Sequence, residues 1–231
     1  HELRTPLSII SGFIETLQTS AKSDPEAQEK FLKIMAEQAE YMSSLIENLL
    51  SLSKIELNQD QRPEGRVEVA DVAEEVMQAL SMKAAEREMK IRLVRDEKLP
   101  PVIGDRAQIK QVVQNLTDNA VKYGISGTDV TIRLKNAEQI PVSKSFKVAG
   151  GAAVAISVNN KGPKIERDKL ARLTERFYRC QEHKDLNIKG TGLGLAIAKH
   201  IILRHRGNLT VNSNGYNGTT FTIYLPIEEQ E

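Results

Sequence analysis

The first residues able to do chemistry open the chain: His1-Glu2-Leu3-Arg4-Thr5-Pro6-Leu7. A neutral imidazole is nucleophilic at one ring nitrogen when the other holds the proton. A carboxylate that accepts that N–H fixes the tautomer. Leu3 and Leu7 are spaced to share a buried helical seam. His1 and Thr5 then fall one turn apart on the opposite, solvent face. The imidazole is thus carried outward on a rigid element, with Glu2 beside it and the Thr5 hydroxyl one turn on. Pro6 has no N–H to give the Glu2 carbonyl, so a bend is expected beside the histidine. A plain surface histidine next to a carboxylate fits the same seven residues.

A second set lies near the chain's middle. Asn115, Asn119 and Lys122 recur at i, i+4 and i+7 and share one helical face, with Tyr123 following. Amide oxygens suit hard Mg²⁺, which prefers oxygen ligands and keeps several waters. Lys122 can set a positive charge against phosphate, and Tyr123 can lie against a base or ribose. An exposed polar helix face is the bland alternative. Further on, Gly190-Thr191-Gly192-Leu193-Gly194 leads straight into Leu195-Ala196-Ile197. Small residues there let backbone N–H groups approach phosphate oxygens at a helix start. No strand feeds directly into the run, so it is not a dinucleotide fingerprint, and it lacks the Gly-Lys-Ser/Thr ending of a P-loop. Between the two sets, Lys161 to Lys189 is long, polar and unpatterned, as an active-site lid is. Phe177 and Tyr178 would anchor it. Arg179 and Lys189 can reach phosphate, while Arg176 reads as a solvated cation.

These residues need a scaffold, and the apolar spacing describes one. Leu3, Leu7, Ile10, Ile14 and Leu17 form one heptad seam. Phe31, Met35, Gln38, Met42, Leu45, Leu49 and Leu52 form a second, with Gln38 its polar member. Ser23-Asp24-Pro25 supplies cap and turn between them. The pair reads as an antiparallel hairpin that completes a four-helix bundle with a second copy of the chain, the alternative being a hairpin packed on its own C-terminal domain. Asn58 to Arg66 reads as a linker. Beyond it, helices are expected over 70–87, 105–123 and 192–205. Strands are expected over 90–94, 101–103, 130–134, 152–158, 208–212 and 219–225, with an insertion between Lys135 and Gly151. The fold class is therefore α+β: a helical domain over 1–66, then an α/β sandwich over 67–231 with helices on one face of a mixed sheet.

Composition narrows the classes of function. A net charge of +1 over 231 residues gives no global field for nucleic acid. Cys180 is the one cysteine, which excludes an internal disulfide and fits a reducing compartment. No apolar run is long enough to span a bilayer, and no signal peptide is visible. The start at His1, inside a helical pattern, reads as a fragment with something upstream.

Together the motifs resemble the five sequence boxes of sensor histidine kinases, in the family's order and over essentially the whole chain. Residues 1–7 resemble the phosphoacceptor box, 115–123 the asparagine box, 176–179 the phenylalanine box and 190–195 the second glycine box. Asn160-Lys161-Gly162-Pro163-Lys164-Ile165 stands where the first glycine box belongs. Segments 11–17 and 49–53 look most like phosphate-regulon sensor kinases. The resemblance implies a homodimeric phosphotransfer domain and a Bergerat-type ATP-binding domain. It implies autophosphorylation of His1 from Mg²⁺-ATP, with Asn119 as metal ligand and Gly162 among the nucleotide contacts. It further implies transfer to an aspartate of a response regulator, a phosphatase role for Thr5, and a cytoplasmic core of a membrane-anchored sensor. One departure stands out: the family's Asp-x-Gly-x-Gly here has Asn160 for aspartate and Lys164 for the second glycine. Asn160 can still accept from adenine's amine, without charge, or turn its NH₂ toward guanine's oxygen. The departure leaves a second possibility open, a phosphotransfer or phosphatase module with impaired ATP binding.

Overall fold

The computed structural model describes residues 2–141, 151–180 and 190–227. Helix α1 spans Arg4–Gln18 and α2 spans Pro25–Leu57. Asp24 caps α2 by accepting from the Ala27 N–H at 3.0 Å, and Pro25 occupies the first helical position, where no N–H is needed. Pro6 falls in the first turn of α1 and so interrupts no described helical ladder. The Phe13 and Phe31 rings stack at 4.7 Å, which sets the antiparallel register of the hairpin.

The second helix carries two apolar stripes rather than one. Leu45, Leu52 and Ile55 are buried in a core shared with the rest of the chain. Leu32, Ile46, Leu50 and Leu57 stay exposed, as do Leu3, Leu7 and Ile14 of the hairpin's first arm. The expected seam through Leu45 and Leu52 thus packs within the chain, and the stripe one residue on is left uncovered.

After the linker, β1 (Arg66–Val67) pairs antiparallel with β3 (Val102–Ile103); β3 falls within the strand expected over 101–103, while β1 is too short to leave a sequence pattern. Helix α3 (Val69–Ala85), β2 (Ile91–Arg95) and α4 (Arg106–Tyr123) lead to β4 (Val130–Ala137) and β5 (Ala153–Asn160). A short α5 (Arg167–Leu170), α6 (Gly194–Arg204), β6 (Asn208–Asn214) and β7 (Gly218–Pro226) complete the described elements. The five-stranded sheet runs β2-β4-β5-β7-β6. Its β2–β4 pair is parallel and the others antiparallel, as a mixed sheet requires. One face buries Val130, Ile132, Leu134, Ile156, Ile223 and Leu225 against the helices. The other face carries Thr131, Arg133, Ser157 and Thr222, half-buried or exposed, so the alternation is that of a sheet covered on one side. The expected insertion sits at the tip of the β4–β5 hairpin, with residues 142–150 outside those described. Among the described residues no helix is long and apolar enough to cross a membrane.

Two caps aim α4. Asp105 accepts from the Ala107 and Gln108 N–H groups at 2.9 and 3.1 Å. The Asp105 N–H in turn donates to Nε2 of His205 at 3.0 Å, and Nδ1 of that fully buried ring lies 2.7 Å from the Ile201 carbonyl. These partners require a neutral imidazole with its proton on Nδ1. Burial holds the His205 pKa below its ordinary value. The unfolded chain therefore binds a proton that the folded chain refuses once pH falls below about 6.5. Stability from this site is complete above that pH and is lost as pH drops through the interval beneath it. Melting temperatures taken at pH 7.5 and 5.5 should show a fall in the natural chain. His205→Gln, which can offer one acceptor and one donor without titrating, should flatten that fall.

Candidate functional site

The site is built where α4 ends, β5 ends and α6 begins. A pocket of about 720 Å³, counting its open mouth, is lined in part by Asn119, Tyr123, Asn160, Gly162, Arg179 and Gly192. Leu173, Thr219 and Phe221, none of them singled out from the sequence, also line it, together with Pro163, Ile165, Tyr178, Cys180 and Leu195. Apolar walls with a few converging polar groups suit a planar heterocycle. Asn160 is 5% exposed and stands opposite Thr219 in the β5–β7 register. Its Nδ2 donates to the Lys161 carbonyl at 3.1 Å. One N–H of the amide is used in this way, which leaves Oδ1 and the second N–H for the cavity. Gly218 lies at φ +80°, and a Cβ there would come within 2.0 Å of the Asn160 carbonyl. Only glycine lets β7 pass so close to the end of β5.

The cavity opens at Asn119, Tyr123 and Gly192 into a wider cleft that Asn115, Lys122, Gly190, Thr191 and Gly194 also line. The far wall of this cleft is α2, through Glu37, Glu40, Tyr41, Ser44 and Asn48. Asn115 donates from Nδ2 to the Gly194 carbonyl at 3.1 Å, tying α4 to the first residue of α6. Its Oδ1 stays available as an oxygen ligand. Lys122 is not a lone cation: Asp118, one turn earlier, pairs with both Lys122 and Lys83 of α3. Burial opposes ionisation of Asp118, but hydrogen bonds from the two lysines outweigh it and hold the carboxyl below its ordinary range. Two cations and one anion leave the cluster net positive beside the cleft. Neither Asp118 nor Lys83 was singled out from the sequence. The acidic residue at i−4 of Lys122 was the one available signal.

The glycine run behaves partly as expected. Gly192 sits at φ +70°, where a Cβ would lie 2.9 Å from the Phe177 backbone. The Phe177 N–H donates to the Gly192 carbonyl at 3.0 Å, so the lid's anchor is fastened to the run itself. Leu193 lines neither space. Its side chain is fully buried in the core, and its N–H reaches Thr191 Oγ1 at 3.4 Å. Arg179 donates to the Gly190 carbonyl at 3.3 Å and sits by Tyr123, whose phenol pKa is raised by burial despite that guanidinium. Arg176 is exposed, as a solvated cation is, and it also pairs with Glu56 of α2, which meets His200 Nε2 at 3.3 Å. Glu2 and Thr5 are exposed at the start of α1. His1 and Lys189 lie outside the described residues.

The residues present fit a nucleoside triphosphate with a hard cation. A semi-apolar pocket meets a glycine-walled cleft at Asn119, Tyr123 and Gly192, with Lys122 and Lys83 on the α4 side of that cleft and Glu37 and Glu40 on the α2 side. Among the described residues no group of three His, Cys, Asp or Glu side chains could hold a metal by itself. The cation would take amide oxygens, phosphate oxygens and water instead.

Comparison with known proteins agrees with this geometry. Residues 104–229 match the family described as "Histidine kinase-, DNA gyrase B-, and HSP90-like ATPase". Residues 1–58 match the "His Kinase A (phospho-acceptor) domain". The phosphate regulon sensor protein PhoR of Pseudomonas aeruginosa is 34% identical over 227 residues, 97% of this chain and 48% of that protein. Sensor histidine kinase WalK of Bacillus subtilis is 30% identical over 231 residues, 100% of this chain and 36% of that protein. The chain thus spans about half or less of these two relatives. The Acinetobacter baumannii histidine kinase AdeS superposes with a TM-score of 0.71 at 26% identity, covering 99% of this chain and 98% of that one. A structure of histidine kinase ThkA in complex with response regulator protein TrrA has the same fold, with a TM-score of 0.73 at 23% identity, covering 99% of this chain and 59% of that one. The chain belongs to the histidine kinase family, as a phosphoacceptor helical hairpin and a gyrase-like ATPase domain in one polypeptide.

Proposed function

We propose that this chain transfers the γ-phosphoryl group of ATP to its own His1 and passes it on to an aspartate of a response regulator. One observation carries the reading. Asn119, Tyr123 and Gly192 line both the base pocket and the wider cleft, and the cleft's outer wall is the phosphoacceptor hairpin. A nucleotide with its base at Asn160 and Thr219 would therefore extend its phosphates toward that hairpin. Thr191, Gly190 and Gly194 would line the phosphate path, with Lys122 offsetting charge and Asn119 and Asn115 offering oxygens to Mg²⁺. Bound Mg²⁺ supplies charge neutralisation on the phosphates. Glu2 would hold one ring N–H of His1 so that the other nitrogen attacks the γ-phosphorus. The bond to the β,γ-bridging oxygen breaks as the N–P bond forms, and ADP departs. Thr5, exposed one turn after His1, would orient water against a regulator's aspartyl phosphate. The core would act on the cytoplasmic side of a membrane-anchored sensor.

The product should be labile in acid and stable in base, as a phosphoramidate is. Incubating the protein with γ-labelled ATP and Mg²⁺ tests this. His1→Gln should remove the label, and full labelling of that variant would sink the assignment. A chain that binds ATP too weakly to label, yet dephosphorylates its regulator, would instead favour the phosphatase reading that Asn160 raises.

We also propose a homodimer through the uncovered stripe. Leu32, Ile46, Leu50 and Leu57 are 57, 45, 57 and 83% exposed, at intervals that keep heptad phase. Leu3, Leu7 and Ile14 extend the same apolar surface, which a second hairpin would bury as a four-helix bundle. Placing Asp at both Ile46 and Leu50 would bury two unpaired charges in that interface, costing several kcal/mol. Light scattering should then report a folded monomer. Leu45→Asp should instead leave the dimer intact and release α2 from the nucleotide domain, because Leu45 is fully buried within one copy. A double variant that remains dimeric would place the interface elsewhere.

A further inference from the structure

Tyr41 of α2 faces the phosphate end of the cleft, yet no family motif includes it. Its ring is half-buried against the shared core, and the residue lines the cleft together with Asn119, Lys122, Gly190 and Thr191. Among the described residues its hydroxyl makes no hydrogen bond. The stacking of Phe13 on Phe31 sets the hairpin register, which brings Tyr41 level with the first residues of α1. Electrostatics agree: after burial, the largest influence, which raises the phenol's pKa, the Glu2 carboxylate raises it further and the Arg179 guanidinium lowers it. A neutral O–H donor is thus within electrostatic reach of the neighbour of the phosphoacceptor and of the cation at the glycine run.

We propose that the Tyr41 hydroxyl donates a hydrogen bond to the terminal phosphate of the nucleotide held by its own chain, aligning that phosphate with the start of α1. The inference rests on the reading of the site as an ATP:histidine phosphotransfer centre. Tyr41 belongs to the phosphotransfer helix rather than to the nucleotide domain. Its contact therefore forms only when α2 and the nucleotide domain are docked as seen here. It favours the transfer geometry and adds little to nucleotide binding, which is how an interaction raises kcat without lowering KM. The raised pKa keeps the phenol a donor across the physiological range.

Tyr41→Phe keeps the ring and its packing and removes only the hydroxyl. The autophosphorylation rate at saturating ATP should fall about tenfold, the usual size of one hydrogen bond to a charged group. The KM for ATP should stay within about twofold. Transfer from phosphorylated Tyr41→Phe protein to a response regulator involves no nucleotide and should proceed at the unmutated rate. Labelling that is not slowed overturns the proposal. So does an equal slowing of both half-reactions, which would mean a disturbed hairpin. If the unmutated protein shows no His1 labelling, the phosphotransfer reading itself has failed, and that outcome is distinct from the first two.

Discussion

The C-terminal half of α2 belongs to two structures at once, and the arrangement of the site follows from that. Leu45, Leu52 and Ile55, spaced seven and three apart, enter the same core as Val72, Ile109, Val113 and Ile201 of the nucleotide domain. Burying three aliphatic side chains at about 1.5–3 kcal/mol each gives an upper figure near 5–9 kcal/mol for this contact. Around it runs a polar rim. Asn48 meets Thr191 at 3.5 Å, Gln111 meets Ser51 at 3.3 Å, and Arg204 donates to the Asn58 and Gln61 carbonyls at 3.0 and 2.9 Å. Rim contacts of this kind contribute under about 1 kcal/mol each. Fixing two domains against one another costs several kcal/mol of lost freedom, so the net docking energy is small. Such an interface can form and release, as a catalytic domain must if the same histidine is also to meet a response regulator.

That contact reaches the nucleotide site by a short physical route. Glu56 pairs with Arg176, the residue before Phe177. Phe177 is fastened to Gly192 through its N–H, and both residues sit at positive φ, 62° and 70°. A non-glycine residue in that region costs roughly 1–2 kcal/mol, which the surrounding contacts must offset. The start of the lid, the glycine run and α2 are therefore one connected unit. His200 adds a titratable group on the same carboxylate, with burial holding its pKa down against the pull of Glu56.

Most of this architecture was legible where the signal is local. Asp24-Pro25 marks the start of α2 because capping and a fixed φ act within one turn, and the strand pattern over 130–134 and 219–225 follows from a sheet covered on one face. What the sequence could not show is which partner each apolar stripe meets. Helix α2 is apolar on two adjacent faces, and periodicity alone assigns neither to the dimer nor to the nucleotide domain. The reading therefore took Leu45 and Leu49 for the intermolecular seam. The β1–β3 ribbon was partly invisible because two residues carry no period. Leu193, caught inside a glycine motif, was read as part of the phosphate loop, although its size and branching mark it as a core residue at a helix start. Asp118 escaped notice because its importance comes from Lys83, thirty-five positions away in sequence.

The asparagine at the base pocket shows why a departure from a motif need not abolish the site. Residue 160 is almost wholly enclosed between β4 and β7, and a carboxylate there would lose most of its hydration. An amide is cheaper to bury, and donation to the Lys161 carbonyl fixes its orientation in a way a carboxylate could not reproduce. With Nδ2 fixed, Oδ1 is left as an acceptor where an exocyclic amine would arrive, and Thr219 lines the same wall. The loss is confined to charge: a neutral acceptor contributes about 0.5–1.5 kcal/mol where a charged one contributes about 1.5–3. If Asn160 faces the base, a deficit on the order of 1 kcal/mol would weaken nucleotide binding about five- to tenfold and leave its geometry intact. The cavity walls, the glycine run and the asparagine pair are untouched by the exchange, so the site would keep the form of a nucleotide pocket with a weaker hold on the base.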